Sequence, residues 1–232
     1  MARETLNREK VLDAALRLVQ EQGIGNLSMR KLAGQLGVEA MSLYNHVANK
    51  ADLLDGMEAR IFETVAVPDP ALSWDSRVRL LAEGLYGSFT RHPAVLRALA
   101  AEEANPRSVG ALKVIDALMK ALLDAGLDEY GAVRGYRSIL GTVFGAVLTD
   151  TVDATGVDTN RAVPIGVWFT TNVTEAEMPS LHRVLPALGR ADCVQDFTFQ
   201  VDLLIAGLRT AAATSTSSAT DELAQRPGST PG

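Results

Sequence analysis

The chain has one cysteine, Cys193, so no disulfide can form within it. Cys193 has no partner at a metal-like spacing and opens an apolar segment, which reads as a buried, inert thiol. Long apolar runs are missing as well. No stretch of about 18 uncharged apolar residues occurs, which leaves no candidate transmembrane helix. Acidic residues appear at once at the N-terminus with no apolar stretch behind them, so no secretory leader is expected and a cytoplasmic location is. Enzymatic signatures are also absent: there is no GxSxG, no Gly-rich phosphate loop after a strand and no HExxH. The expectation is a protein that is not an enzyme and that uses no cofactor and no metal. His92 and His182 are isolated, and such histidines are more often hydrogen-bonded structural residues than metal ligands. Glu102 and Glu103 read as a solvated face. Strand signals are scarce, with only residues 163–173 β-like in composition and those interrupted by Pro164 and Gly166. A positive overall charge is missing too: the formal net is −6, which argues against non-specific nucleic-acid binding.

What remains is helical periodicity. At 232 residues and 47% apolar, the chain can build two domains or one extended helical body. Segments 8–22, 73–90, 94–101, 108–125, 128–153 and 191–213 repeat apolar residues at helical spacing, and the fold class is all-α. Residues 214–232 are rich in Ser, Thr, Pro and Gly without an apolar face, so they read as a disordered tail.

The most informative stretch is residues 27–53, LSMRKLAGQLGVEAMSLYNHVANKADL. Met29, Leu32, Ala33 and Leu36 recur at helical spacing, Ser28 can cap that helix, and Gly37 can end it. A second short helix, about residues 39–46, buries Leu43 and Val47 and leaves Ala40, Met41, Ser42, Tyr44, Asn45 and His46 on or near its outer surface. Another helix starts at the capping residue Asn49, with Asp52 in its first turn, and carries Leu53, Leu54, Met57, Ile61 and Val65 until Pro68 stops it. Two short helices joined by a Gly-containing turn are the sequence form of a helix-turn-helix, whose second helix enters the DNA major groove.

The wording of this region, VLDAALRLVQEQGIGNLSMRKLAGQLGV followed by SLYNHVANKADLLDGM, resembles the DNA-binding domain of the tetracycline repressor (TetR) family of bacterial transcription regulators. The likeness covers residues 3–57. The stretches MPSLHRVL and FQVDLLIAGL resemble the C-terminal regulatory domain of the tetracycline repressor branch. The resemblance implies a helix-turn-helix domain with its linker helix over residues 1–67 and a helical ligand-binding and dimerisation domain over 68–213. It further implies a homodimeric, ligand-responsive repressor on a palindromic double-stranded operator, released by a small, mostly apolar effector. The alternative is a helical protein-binding adaptor of the same fold without specific DNA binding. Its signature would be disrupted DNA-facing residues, and Arg30, Tyr44, His46 and Lys50 are all present.

Charge points the same way. Residues 1–50 carry seven Lys/Arg against five Asp/Glu, a net of +2, and the remainder carries fifteen against twenty-three, a net of −8. Few phosphate contacts per monomer are therefore expected, so affinity should rest on dimerisation and on base and shape readout. The candidate DNA-facing residues are Ser28, Met29, Arg30, Ala40, Met41, Ser42, Tyr44, Asn45, His46 and Lys50. Arg30 could fork onto a guanine or hold a phosphate, or be a solvated surface arginine. By the resemblance, Ser42, Tyr44 and His46 hold the sugar–phosphate backbone, with Tyr44 alternatively a packing residue. Lys50 stands at a helix N-terminus, where a phosphate is favoured. Met41 replaces a common Pro and Asn45 a common aromatic residue. Asn suits adenine, so the operator should differ from that of the tetracycline repressor. Arg3 could reach the DNA backbone.

For the body, Phe89, His92, Leu96, Leu112, Ile115, Met119, Phe144, Trp168 and Phe169 are candidate effector-pocket residues, although such residues also make plain core. Around LRALAAEEANPRS no His stands where the tetracycline repressor has its metal-binding His, so a magnesium–tetracycline inducer is not expected. Gly131, Gly135, Gly141 and Gly145 recur within one helix at a propensity cost of roughly 1 kcal/mol each against Ala, which points to close helix approach. With the doubly apolar last helix, they place the dimer interface at Gly135, Ile139, Gly141, Phe144, Val201, Leu204 and Leu208.

Overall fold

The computed structural model describes residues 6–93, 95–97, 107–154, 165–188 and 192–224. Among these, every regular element is helical. Helix α1 spans Arg8–Gln22, α2 Met29–Leu36, α3 Ala40–Leu43 and α4 Lys50–Glu63. Helix α5 spans Trp74–Thr90, α6 Val109–Asp124, α7 Glu129–Ala154, α8 Ile165–Asn172, α9 Pro179–Leu188 and α10 Cys193–Ala224.

The N-terminal head, α1 to α4, is built by local rules. Asn7 accepts from the Lys10 amide at 2.9 Å, Ser28 from Lys31 at 3.2 Å and Asn49 from Asp52 at 2.9 Å, so α1, α2 and α4 each begin on a side-chain cap. Helix α2 ends where Gly37 takes φ 65°, ψ 33°, a left-handed conformation that costs glycine nothing. Its amide returns to Gly34 O, and the Val38 amide reaches Ala33 O, which closes the turn into α3. Helix α3 is shorter than the spacing suggests. Regular helix stops at Leu43, and hydrogen-bonded turns carry Tyr44, His46 and Val47 onward. Leu32, Leu43, Leu53 and Met57 are fully buried beneath these elements. Each contributes on the order of 1.5–3 kcal/mol of hydrophobic stabilisation.

Helix α4 packs against α1 on one side and against α5 and α6 on the other. One buried cluster therefore runs from Val11 to Ala212 with α4 in its middle. Behind it, α5, α6, α7 and α10 pack on one another. Four further elements differ from the sequence reading. Helix α6 buries Ala111, Val114, Leu118, Ala121 and Leu122, which leaves Leu112 56% exposed, because the small residues Ala111 and Ala121 let α6 approach its neighbours on that face. The β-like residues near 163–173 form helix α8 where they are described, and α9 is an additional helix with Pro186 inside it. Helix α10 continues past residue 213 to Ala224, where Ser/Thr-rich sequence still supports backbone hydrogen bonding. The expected short helix 94–101 is described only at residues 95–97, which are helical. Arg3, Glu102, Glu103 and residues 225–232 lie outside the described residues.

Candidate nucleic-acid interface and effector chamber

The turn from α3 into α4 carries most of the expected DNA-facing side chains, and one arginine ties it down. Arg8 of α1 donates through Nη1 to the His46 carbonyl at 2.6 Å and through Nη2 to Asp52 Oδ1 at 2.6 Å. Asp52 Oδ2 accepts the Ala48 amide at 2.7 Å. The Arg8 hydrogen bond holds the Asp52 carboxyl below its usual range, opposed by burial, and Asp52 raises Arg8 in return. Sequence spacing assigns Asp52 only a helix-dipole role; its partnership with Arg8, 44 residues away, has no local signal. Around this anchor Ser28, Arg30, Met41, Tyr44, Asn45 and Lys50 are exposed, with Met41 at 73% and Tyr44 at 47%, while Met29, Ala40, Ser42 and His46 are half-buried. Exposed Tyr44 is thus not a core residue of this protomer. A large apolar side chain as open as Met41 at the start of α3 is suited to a surface that is covered on binding.

Helix α4 is also bonded to the body. Phe62 meets Phe89 edge-on with centroids 5.9 Å apart, Thr64 and Ser88 hydroxyls lie 2.8 Å apart, and Asp55 pairs with Arg107 at 3.1 Å. Ser108 donates to Glu63, and Arg60 returns to Asp13 of α1 at 2.9 Å. Beside these contacts, Glu58 is buried, and its Oε2 has no hydrogen-bond partner. Burial, with Asp55 second, raises its pKa to about 7.

Of the expected pocket residues, Phe89 and Leu96 are fully buried. Phe144 meets Phe89 edge-on at 5.1 Å, and Ile115 and Met119 are part-buried against the same cluster. His92 is half-buried with its Nδ1 unpartnered, and burial followed by Arg91 lowers its pKa. Leu112 departs from the expectation: it is exposed on α6, on the side away from the residues that helix buries. Trp168 is 50% exposed and meets Phe169 of its own helix at 5.7 Å, apart from the Phe89 cluster. Among the described residues, no three His, Cys, Asp or Glu side chains stand together as a metal site, and no helix is long and apolar enough to cross a membrane.

The expected dimer residues divide. Gly135 is a correction: a Cβ there would lie 3.0 Å from Leu122 and 3.1 Å from Leu208, so its small size serves packing of α6, α7 and α10 within one chain. Ile139, Val201 and Leu208 are buried in that same core, and Phe144 and Leu204 are part-buried against it, because these residues share the inward faces of α7 and α10. Gly141 is exposed and meets nothing within 4 Å. On the outer side of α10, which the sequence reads as apolar on more than one face, Phe199 and Leu203 stand four residues apart at 63% and 59% exposure.

Among the described residues the fold is all-helical, with a capped helix-turn-helix joined to a helical body through a shared fourth helix, an architecture used by DNA-binding transcription regulators. Comparison with known proteins gives the family. Residues 11–57 match the family of bacterial regulatory proteins, tetR family, and residues 67–212 match the tetracyclin repressor-like C-terminal domain. The chain belongs to the TetR family. It is 47% identical over 77 residues to the class D tetracycline repressor of Escherichia coli, a match that spans 32% of this chain and 35% of that protein's length. It is 30% identical over 218 residues to an HTH-type transcriptional regulator of Saccharopolyspora erythraea, covering 89% of this chain and 86% of the relative. In fold it is similar to apo ActR of Streptomyces coelicolor, with a TM-score of 0.76 at 24% identity over 93% of this chain and 99% of ActR. ActR has also been solved with actinorhodin bound.

Proposed function

We propose that this protein is a homodimeric repressor that binds a palindromic operator and leaves it when a small, mostly apolar effector enters the body. The observation that carries the reading is the double attachment of α4. One face is tied to the reading head by Asp52–Arg8 and Arg60–Asp13, and the other to the body by Phe62–Phe89, Thr64–Ser88 and Asp55–Arg107. An effector that favours a different packing of Phe89 and Phe144 shifts α4, and with it the separation of two reading heads. Operator affinity then falls by the ratio of effector affinities for the two states.

The head residues divide by role. Ser42, Tyr44, His46 and Lys50 hold phosphates, while Arg30, Met41 and Asn45 address base edges. Ser28 and Met29 set the angle of α2, and Ala40 lets α3 approach the groove. The exposed face of Phe199 and Leu203 on α10, with the open Gly141 position on α7, is the surface for a second copy. Two-fold symmetry then sets the heads roughly 34–36 Å apart. The chamber takes its walls from Phe89, Leu96, Ile115, Met119 and Phe144, and His92 offers a polar contact. ActR, a protein of the same fold, has been solved with actinorhodin bound, which supports a small-molecule effector.

The test is fluorescence anisotropy of the full chain on DNA from upstream of its own gene against a shuffled duplex at physiological salt. A preference of about a thousandfold is expected. Equal, weak binding to both duplexes and to a selected random pool would sink the repressor reading.

A further inference from the structure

The connection from α4 to α5 closes over a groove of about 350 Å3 that neither proposed site uses. Its lining combines the apolar residues Val67, Pro68, Leu81 and Ala117 with the cations Arg77 and Lys113. Arg77 is 6% exposed. Its Nη2 donates to Asp124 at 2.7 Å, while its buried Nε has no hydrogen-bond partner. An arginine taken out of water with one donor unmatched is costly to the apoprotein, and an added acceptor would offset that cost. Asp124 is itself shared with Lys120, at 2.9 Å. Lys113 has no ion-pair partner among the described residues. Counting Arg77, Lys113 and Lys120 against Asp116 and Asp124, the groove and its immediate partners carry a net of +1. The local sign opposes that of the surrounding chain, which is net −8 from residue 51 onward.

We propose that this groove binds a small amphipathic carboxylate. Its apolar part lies along Val67, Pro68, Leu81 and Ala117, and its head is held by Arg77 and Lys113. A local charge of +1 suits a monoanion. Guanidinium and ammonium together recognise a carboxylate through charge-assisted hydrogen bonds. The groove is roomy enough for the chain of an eight-carbon acid.

The test uses the full chain and three probes, octanoate, octanol and octylamine, titrated by calorimetry and ligand-observed NMR. Two variants accompany the wild type. Lys113→Glu reverses an exposed charge, and Ala117→Trp fills the groove. One saturable octanoate site is expected, with octylamine at least tenfold weaker. Lys113→Glu should weaken octanoate tenfold or more, and Ala117→Trp should remove binding. If the tryptophan variant fails to fold, Lys113→Glu decides alone. The proposal is overturned if octanoate does not saturate, if octylamine binds equally well, or if Lys113→Glu leaves octanoate affinity unchanged, which would place the ligand elsewhere. None of these readouts involves DNA, so failure here leaves the repressor reading standing.

Discussion

Arg8 and Asp52 meet through two side-chain hydrogen bonds, at 2.6 and 3.1 Å, across 44 residues of sequence. Their meeting fixes the turn that carries His46. Because Arg8 also donates to the His46 carbonyl and Asp52 accepts the Ala48 amide, one ion pair sets the path from α3 into α4. Both side chains are about a third exposed or more, so solvent screening limits their direct worth to stability. Their main effect is on geometry.

Arg8→Ala and Asp52→Asn should each reduce operator affinity about tenfold or more while lowering stability by only about 0.5–1.5 kcal/mol. The double variant should cost little beyond either single one. Anisotropy titrations combined with urea unfolding check this; additive losses would show that the two side chains act separately.

Lys50→Ala should weaken binding to specific and shuffled DNA alike and reduce the magnitude of the salt slope by about 1 for each phosphate that Lys50 neutralises. Asn45→Ala should instead cost about 1–3 kcal/mol on the operator alone and relax the preference at one base pair. Salt-dependent titrations on operator and shuffled duplexes separate the two. An unchanged salt slope for Lys50→Ala would show that Lys50 holds no phosphate.

Glu58 gives a pH signature. Its folded pKa, about 7, lies above the usual carboxylate value of 4.5, so between those values the native state holds the extra proton. This contribution to stability is unpenalised below about pH 4.5 and is lost as pH rises through 7, by up to roughly 3 kcal/mol. Glu58→Gln should therefore be more stable than the parent at pH 8 and nearly equal at pH 4.5. Urea unfolding at both values checks the sign; a parent that gains on Glu58→Gln as pH rises would contradict it.

Phe199→Glu combined with Leu203→Glu should convert a dimer into a folded monomer, because both side chains are more than half exposed and contribute little to the protomer core. Light scattering should show the halved mass, circular dichroism should remain helical, and operator affinity should fall at least a hundredfold. A variant that stays dimeric would move the interface elsewhere.

Much of the reading head was legible in the sequence because its determinants are local. A cap, a positive-φ glycine and a 3.6-residue period act within one or two turns, and Ser28, Gly37 and Asn49 stand where those rules put them. The body was legible only as helices. Periodicity states that α6 has an apolar side, but Leu112 and Ala111 are adjacent and both apolar. The neighbouring helices determine which one is covered, and Ala111 is buried. Gly135 shows the same limit: its sequence context asks for a close helix, and only packing shows that the helices belong to the same chain.

The sequence by itself determined the helical class and the capped helix-turn-helix, since these follow from interactions over a few residues. Tertiary structure decided the Arg8–Asp52 anchor, the unpaired burial of Glu58 and the groove over Arg77. Each depends on groups brought together across tens of residues, where no local spacing constrains which partner arrives.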